Sequence, residues 1–96
     1  MQDTTGRAVR VAVVGFGYWG PNLARNFHQL AGAQLAYVVD QDPAALQRAQ
    51  RLYGCQITPQ LDDVLADSTV DAVIIATPAR THYALARRSL EAGKHL

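Results

Sequence analysis

Three glycines near the start of the chain have the spacing G-x-G-x-x-G, in the run from Gly15 to Gly20. In this pattern the first glycine allows a tight turn, the second lets the backbone approach a pyrophosphate, and the third lets a helix pack closely on a sheet. The free amides and the positive dipole end of that helix favour a bound phosphate. If a strand precedes the motif and a helix follows it, the motif predicts a dinucleotide site. The predicted contact residues in this run are Gly15, Phe16, Gly17, Tyr18, Trp19 and Gly20.

An acidic residue, Asp40, lies twenty positions after Gly20. In dinucleotide-binding folds an acidic residue at about this distance accepts hydrogen bonds from the adenosine ribose, and its charge repels a 2′-phosphate. The next residues, Gln41 and Asp42, carry no positive charge that could pair with such a phosphate. We therefore predict that Asp40 binds the ribose and that the cofactor is NAD rather than NADP. Asp42, which precedes Pro43, is explained as a helix cap, whereas the sequence offers no such structural role for Asp40.

A second group of candidate contacts lies further along the chain, where Thr77 and Pro78 follow an apolar run. Ligands of open α/β sheets bind beyond the carboxyl ends of the strands, so this segment is predicted to face the same cofactor. His82 could orient a ribose or a substrate, or it could be a structural or solvated histidine, and the sequence leaves both open. His28 and His95 have no acidic or cysteine partner at a useful spacing. Thr77, Pro78 and His82 are thus further predicted cofactor contacts, with no metal ligand and no catalytic residue assigned.

The elements that would position these residues alternate between strands and helices. Runs rich in β-branched and apolar residues predict strands at Val9–Val14, 35–39, Gln56–Thr58 and 71–76. Apolar residues at helical spacing predict helices from residue 19 to a stop at residue 32 and at Pro43–Tyr53, 59–66 and 81–91.

Capping signals support several of these boundaries. Asp42-Pro43 and Thr58-Pro59 each place a cap residue before a proline, which suits the first turn of a helix. Gly54 suits a helix end, and Cys55 after it is predicted to be a small buried filler. In the last helix the residues predicted to supply apolar contacts are Tyr83, Ala84, Leu85, Leu90 and Ala92.

The order of the elements, βαβαβαβα, predicts a doubly wound parallel α/β sheet of the Rossmann type with right-handed crossovers. Residues 1–96 are interpreted as an N-terminal dinucleotide-binding domain. A complete sheet of this type has strand order 3-2-1-4-5-6, so a chain truncated after the fourth strand and helix has the order 3-2-1-4. We therefore expect the fourth strand to lack a neighbour, and the isolated chain to self-associate along it or to be only marginally stable.

The composition is that of an ordinary folded chain of 96 residues, with 49% hydrophobic and 18% charged residues, which excludes disorder. Nine Lys and Arg against eight Asp and Glu give a net charge of +1, without the basic patch that nucleic acid or a membrane surface attracts. The predicted partner is therefore a small molecule. The single cysteine cannot form an internal disulfide, and residues 1–10 contain no apolar signal segment, which together predict a cytoplasmic location.

Three segments carry a family resemblance: the run from Val13 to Phe27 around the glycines, the pair Val39-Asp40, and the stretch from Ala76 to His95. The most specific parts are Tyr-Trp-Gly-Pro-Asn at residues 18–22 and a Thr-Pro-x-x-x-His helix that ends in Ala-Gly-Lys-His. Together they resemble the glucose-fructose oxidoreductase/inositol dehydrogenase (Gfo/Idh/MocA) family over essentially the whole chain. These parts look similar to the branch of the family that acts on sugars and sugar nucleotides.

The resemblance implies an NAD(P)-binding Rossmann domain followed by a second α/β domain that holds the substrate and often forms the oligomer interface, so a full-length homo-oligomer is expected. In the family a Glu-Lys-Pro motif, whose lysine helps to bind cofactor and substrate, and a later Asp/His pair for proton transfer follow such a segment. We expect these groups beyond Leu96 and the chain alone to be inactive. Family members often have Asn after Thr-Pro, where this chain has Ala79, so any contact made by that amide is absent.

Two functions of different classes are compatible with this sequence. The first is the NAD-binding part of an oxidoreductase that transfers hydride between nicotinamide and a hydroxyl-bearing carbon of a sugar, sugar nucleotide or inositol-like substrate. The second is a non-catalytic module that senses NAD(H), because a fold does not fix a function. A binder of FAD or S-adenosylmethionine is disfavoured by the Tyr-Trp-Gly-Pro-Asn context rather than by the glycines.

Overall fold

The computed structural model describes residues 8–17 and 20–96, which form strands and helices in strict alternation. No helix in these two ranges is long and apolar enough to cross a membrane. The elements are β1 (Val9–Val14), α1 (Gly20–Gln29), β2 (Ala33–Val39), α2 (Pro43–Tyr53), β3 (Gln56–Thr58), α3 (Leu61–Leu65), β4 (Ala72–Ile75) and α4 (Ala79–Glu91).

The strands form one parallel sheet in the order β3-β2-β1-β4, which confirms the predicted α/β Rossmann fold class and strand order. β1 lies inside the sheet, and its last four residues are buried, as a continuous apolar run predicts. Side chains of β1 alternate between two core clusters on opposite faces. Val11 and Val13 join a cluster with residues of α1 and α2, whereas Ala12 and Val14 join a cluster with residues of α3.

The boundaries of α2 match the prediction because both ends carry local capping signals. The Asp42 carboxylate accepts the Ala44 N–H at 3.0 Å, and Pro43 is the first helical residue. Gly54 ends the helix with a left-handed φ of 64°, a conformation that favours glycine. Cys55 is buried as predicted, and burial raises the pKa of its thiol.

The start of α3 differs from the prediction. The helix begins at Leu61, two residues after Pro59, so Thr58-Pro59 as the helix start is wrong. The Thr58 hydroxyl accepts the Gln60 N–H at 3.0 Å and donates to the Asp63 carboxylate. Because a threonine hydroxyl that bonds to the backbone two residues on closes a turn, the chain turns once more before the helix begins.

The contacts of α4 also differ from the prediction. Leu85 is half-buried against the α3-side cluster, as expected. The most deeply buried residue of the helix is instead Ser89, whose hydroxyl donates to the Leu85 carbonyl at 2.8 Å. The prediction of apolar core contacts is wrong for four residues, which are exposed: Tyr83, Ala84, Leu90 and Ala92.

The outer edge of β4 is partly covered by the chain after α4. The Val73 N–H donates to the His95 carbonyl at 2.8 Å, and the His95 N–H donates to the Asp71 carbonyl at 3.0 Å. These bonds form a parallel bridge between Ala72 and His95. The prediction that the fourth strand lacks any neighbour is therefore wrong at its first residues, where His95 occupies the position of a next parallel strand.

Tyr37 connects the sheet to the turn between α3 and β4. The register of β2 against β1 shifts by one residue just before it, so Ala36 and Tyr37, though consecutive, both belong to the cluster on the α3 face. From this position the Tyr37 hydroxyl donates to the Asp67 carboxylate at 2.8 Å. The other Asp67 oxygen accepts the N–H and the hydroxyl of Thr69 at 2.9 and 2.6 Å. The turn is thereby tied to the core.

Lys94 holds the same turn from the end of the chain. The residue is 7% exposed, and Nζ donates to the carbonyls of Asp67 and Val70 at 2.7 and 2.8 Å. A buried ammonium group requires such acceptors because losing water without replacing its hydrogen bonds is costly. The segment after α4 is therefore anchored to the turn before β4, at the amino-terminal edge of the sheet.

The Asp67 carboxyl should make the stability of the fold sensitive to acid. Hydrogen bonds from Thr69, and then from Tyr37, lower its pKa from 3.8 to about 2. Because the folded-state pKa lies below the unfolded value, the stabilisation is complete above about pH 5 and is lost as the pH falls towards 2. In chemical unfolding across that range, we expect the unfolding free energy of the wild type to fall more steeply than that of Asp67→Asn, with Thr69→Ala between them. Equal slopes would contradict this role of Asp67.

Candidate functional site

The candidate site is a cleft of about 910 Å³ beyond the carboxyl ends of the strands. Parallel α/β sheets bind ligands at this edge, and the volume is that of a small-molecule site. The loops after all four strands contribute to its wall. The predicted site residues that lie on the wall are Gly15, Gly17, Asp40, Thr77, Pro78 and His82.

The turn that leaves β1 requires glycine at two positions. Gly15 has a φ of 97°, and a Cβ there would lie only 2.9 Å from Thr77 Cγ2. A Cβ at Gly20 would overlap the Gly15 carbonyl group, whose carbon would be 2.7 Å away. The first turn of α1 therefore packs directly on the turn after β1, which is the close approach that the third glycine of the motif permits.

Gly17 has different surroundings from the other two glycines. A Cβ built on Gly17 meets no atom of the described residues within 4 Å, its chain neighbours aside, and the residue is exposed on the cleft wall. Residues 8–17 and 20–96 therefore leave room for a side chain there. The open space leaves the backbone accessible to a ligand, which is what the second glycine of the motif provides for a pyrophosphate.

Asp40 lies directly after β2, half-buried on the cleft wall. One carboxylate oxygen accepts the Phe16 N–H at 2.7 Å, and the other accepts the Asp42 N–H at 2.8 Å. Each oxygen has a second lone pair, so the carboxylate retains acceptor capacity for ribose hydroxyls. The bond to Phe16 also gives Asp40 a structural role, which the sequence does not reveal because the two residues are 24 positions apart.

The loop between β4 and α4 is held by its own side chains. The Thr81 hydroxyl donates to the Pro78 carbonyl at 2.7 Å, so Thr77, whose hydroxyl is 2.6 Å away, donates to Thr81. His82 Nε2 lies 2.6 Å from the Thr77 carbonyl oxygen. Since a carbonyl only accepts, Nε2 donates, and the neutral ring keeps Nδ1 as an acceptor. The hydrogen bond to Thr77 supports a structural role for His82. Only Nδ1 is left for a contact with a cofactor.

Two of the predicted contact residues do not line the cleft. Phe16 is 1% exposed in the core cluster with α1 and α2, where its ring meets Tyr53 edge-on at a centroid distance of 6.2 Å. Gly20 is buried at the start of α1. Phe16 and Gly20 therefore shape the loop and present no side chain to a ligand. Tyr18 and Trp19 lie outside the described residues.

The cleft also contains residues that the motifs do not indicate. Gln41 Nε2 donates to the Pro59 carbonyl at 2.8 Å, which joins the loops after β2 and β3. Arg88 and Asp62, both on the wall, form an ion pair between α4 and α3. The contribution of the loop after β3 to the cleft follows from the strand order, because the carboxyl ends of neighbouring parallel strands share one edge of the sheet. Arg88, in the third turn of α4, carries no comparable sequence signal.

These features fit a dinucleotide. Leu61 and Leu85 contribute apolar surface that suits a base, the open backbone at Gly17 suits a pyrophosphate, and the Asp40 carboxylate suits a ribose diol. Across residues 8–17 and 20–96, no group of three or more His, Cys, Asp or Glu side chains is arranged to hold a metal ion. The arrangement can bind and orient a ligand across the edge of the sheet.

Comparison with known proteins gives a consistent result along the chain. Residues 9–96 match the model of an oxidoreductase family with an NAD-binding Rossmann fold. Inositol 2-dehydrogenase 4 of Saccharopolyspora erythraea is 40% identical over 92 residues, which cover 91% of this chain and 26% of that protein. A glycosyl hydrolase family 109 protein of Shewanella amazonensis is 33% identical over 97 residues, which cover 91% of this chain and 21% of that protein.

Solved structures agree with these relatives. Scyllo-inositol dehydrogenase of Lactobacillus casei, solved with bound NAD(H) and scyllo-inositol, superposes with a TM-score of 0.87 at 28% identity. The match covers 93% of this chain and 27% of that one. The chain therefore spans about a quarter of the length of the proteins that it matches.

Proposed function

We propose that residues 1–96 form the cofactor-binding domain of a longer NAD-dependent dehydrogenase, because this chain belongs to the Gfo/Idh/MocA family of NAD-binding oxidoreductases. The observation that carries this proposal is the open backbone at Gly17, between the Gly15 turn and the Asp40 carboxylate on one cleft wall. When bound, the nicotinamide supplies the hydride chemistry. The chain binds the pyrophosphate along residues 15–17, and the Asp40 carboxylate accepts hydrogen bonds from the ribose hydroxyls. The loop from Thr77 to His82 faces the cofactor.

The substrate proposed for the full-length protein is a sugar, sugar nucleotide or inositol-like compound. The S. erythraea and L. casei relatives are both inositol dehydrogenases by name. Their names support a polyol substrate with reactive hydroxyl-bearing carbons. Because the chain spans about a quarter of these relatives, we place the substrate pocket and the proton-transferring groups in the remaining part. We further propose a homo-oligomer in the cytoplasm, where the free, buried Cys55 would stay reduced.

The glycosyl hydrolase relative favours a second candidate, cleavage of a glycosidic bond by the full-length protein. A cofactor domain of this type does not by itself distinguish the two reactions. The full-length protein should be incubated with NAD and either free inositols and sugars or nitrophenyl glycosides. Net NADH formation from the free compounds supports the dehydrogenase, whereas release of nitrophenol without net NADH supports the hydrolase. NADH binding with neither activity supports a sensing module.

The chain should bind NADH more tightly than NADPH by about 10- to 100-fold, or roughly 1–3 kcal/mol. In the proposed binding mode the 2′-phosphate of NADPH would approach the negatively charged Asp40 carboxylate. Neighbouring Gln41 carries no charge, and its side chain donates to the Pro59 carbonyl. Fluorescence titration of both nucleotides at one ionic strength measures the ratio. Equal affinities would remove the ribose role of Asp40, and binding of neither nucleotide would contradict the proposed function.

Gln41 offers a matched pair of variants for this measurement. Gln41→Arg should reduce the difference in affinity between NADH and NADPH, because a guanidinium beside Asp40 could pair with the 2′-phosphate. Gln41→Met loses the same bond to Pro59 without adding a charge, so it should keep the preference of the wild type. A similar gap in both variants would show that the charge next to Asp40 does not control cofactor choice.

A further inference from the structure

The hydrogen bond between Asp40 and Phe16 joins the end of β2 to the glycine loop. The Phe16 N–H belongs to the residue between Gly15 and Gly17, and it donates to Asp40 Oδ2 at 2.7 Å. Gly15 is also fixed, because its N–H donates to the Val39 carbonyl at 2.7 Å. The backbone that leads to Gly17 is therefore attached to β2 by one main-chain bond and one carboxylate bond.

The burial of Phe16 makes this bond important for the shape of the loop. The whole residue is 1% exposed, and its ring is fixed in the core against Tyr53. Without an acceptor the Phe16 N–H would be left buried and unpaired, which is costly enough to favour a rearranged loop. Because the ring restrains one side of the residue, the change would pass to the neighbouring backbone at Gly17.

We propose that Asp40 is a positioning residue for the phosphate-binding loop as well as a ribose contact. Through the Phe16 N–H it holds the loop in the conformation that leaves the Gly17 backbone open to a pyrophosphate. This inference rests on the proposed function. It predicts that Asp40 contributes to the binding of nucleotides that have no ribose hydroxyls for it to contact.

The charge of Asp40 and its hydrogen bond to Phe16 should have opposite effects on the affinity for such a nucleotide. A carboxylate near a bound diphosphate repels it, so removal of the Asp40 charge alone would strengthen binding. Loss of the bond to Phe16 would weaken binding, because the loop must be ordered again when the ligand binds. The direction of the change therefore distinguishes the two effects.

The experiment compares ADP with 2′,3′-dideoxy-ADP, which keeps the adenine and the diphosphate but lacks both ribose hydroxyls. For Asp40→Ala, which removes both acceptor oxygens, we expect the affinity for 2′,3′-dideoxy-ADP to fall by about tenfold. Asp40→Asn keeps one acceptor oxygen without the charge and should recover part of the loss. Asp42→Asn is the matched control, since it removes a carboxylate charge from the same turn, where the Asp42 side chain accepts the Ala44 N–H of α2 rather than the Phe16 N–H. Its affinity should stay within about twofold of the wild type.

Hydrogen exchange of the Phe16 amide gives a second readout that needs no ligand. We expect exchange in Asp40→Ala to be about tenfold or more faster than in the wild type and in Asp42→Asn, with Asp40→Asn between them. An unchanged or improved affinity of both Asp40 variants for 2′,3′-dideoxy-ADP, or an unchanged Phe16 exchange rate, would overturn the inference. If the wild type binds neither ADP nor NADH, the proposed function fails, and the exchange rates still decide whether Asp40 holds the loop.

Discussion

The Gly17→Val variant should lose measurable NADH binding while it keeps the stability of the wild-type chain. A Cβ at Gly17 meets no atom within 4 Å in the part of the chain that the structure describes, its chain neighbours aside, and the backbone there lacks the left-handed φ at which a side chain is strained. The valine methyl groups would instead occupy the space on the cleft wall where the pyrophosphate is proposed to approach the backbone. We expect the affinity for NADH to fall by about 100-fold or more, which corresponds to roughly 3 kcal/mol.

Fluorescence titration and thermal melting of the same samples separate binding from folding in this variant. Gly20→Ala is the contrasting control, because a Cβ there would overlap the Gly15 carbonyl group and should lower the melting temperature. If Gly17→Val binds NADH as tightly as the wild type does, the pyrophosphate does not lie against this backbone. The proposed function would then lose its main support.

The Lys94→Met variant should have the opposite profile, with a large loss of stability and little change in NADH affinity. Methionine fills a similar volume but cannot donate to the Asp67 and Val70 carbonyls, which the Lys94 ammonium group contacts at 2.7 and 2.8 Å. The buried Val70 carbonyl would lose its Lys94 partner, and the Asp67 carbonyl would keep only the Val70 N–H at 3.1 Å. These losses should lower the free energy of unfolding by about 2–4 kcal/mol. For a chain of this size, that corresponds to a fall in melting temperature of roughly 10–30 °C.

Arg87→Met is the matched control for this change from a cation to methionine. The Arg87 side chain is 64% exposed and pairs with Glu91 on the surface of α4. Such an exposed pair contributes little, so the variant should lose at most about 0.5 kcal/mol. Urea unfolding of both variants gives the comparison. Similar stabilities for Lys94→Met and Arg87→Met would show that the buried ammonium group does not anchor the turn before β4.

Together, these variants test whether nucleotide binding and stability depend on opposite edges of the sheet. Gly17 lies at the carboxyl edge, where loops form the cleft, and Lys94 binds the turn at the amino edge, where α3 is linked to β4. A change at one edge should therefore alter either binding or stability, but not both. Asp40 is the exception, because it lies in the cleft and also holds the backbone of Phe16.

Local signals were sufficient to predict the order of the elements and the turn after β1. The bounds of β1 and α2 match because each depends on a short stretch: an apolar β-branched run for Val9–Val14, and the caps Asp42 and Gly54 for α2. The parallel order then follows from the alternation of strands and helices. The glycine motif specifies a turn between a strand and a helix, and Gly15 and Gly17 of that turn lie on the cleft wall.

Contacts between distant residues decided what the sequence left open. Phe16 occupies a variable position of the glycine motif, yet it is buried, because the sheet and its helices enclose its ring. The Asp40 carboxylate reaches the Phe16 N–H across 24 positions, and the Lys94 ammonium group reaches Val70 across the same separation. Tyr37 faces α3 only because the register of β2 shifts by one residue. A sequence records residue types and their spacing along the chain, whereas these contacts depend on which face of the sheet each side chain reaches, and a shift of one residue exchanges the faces.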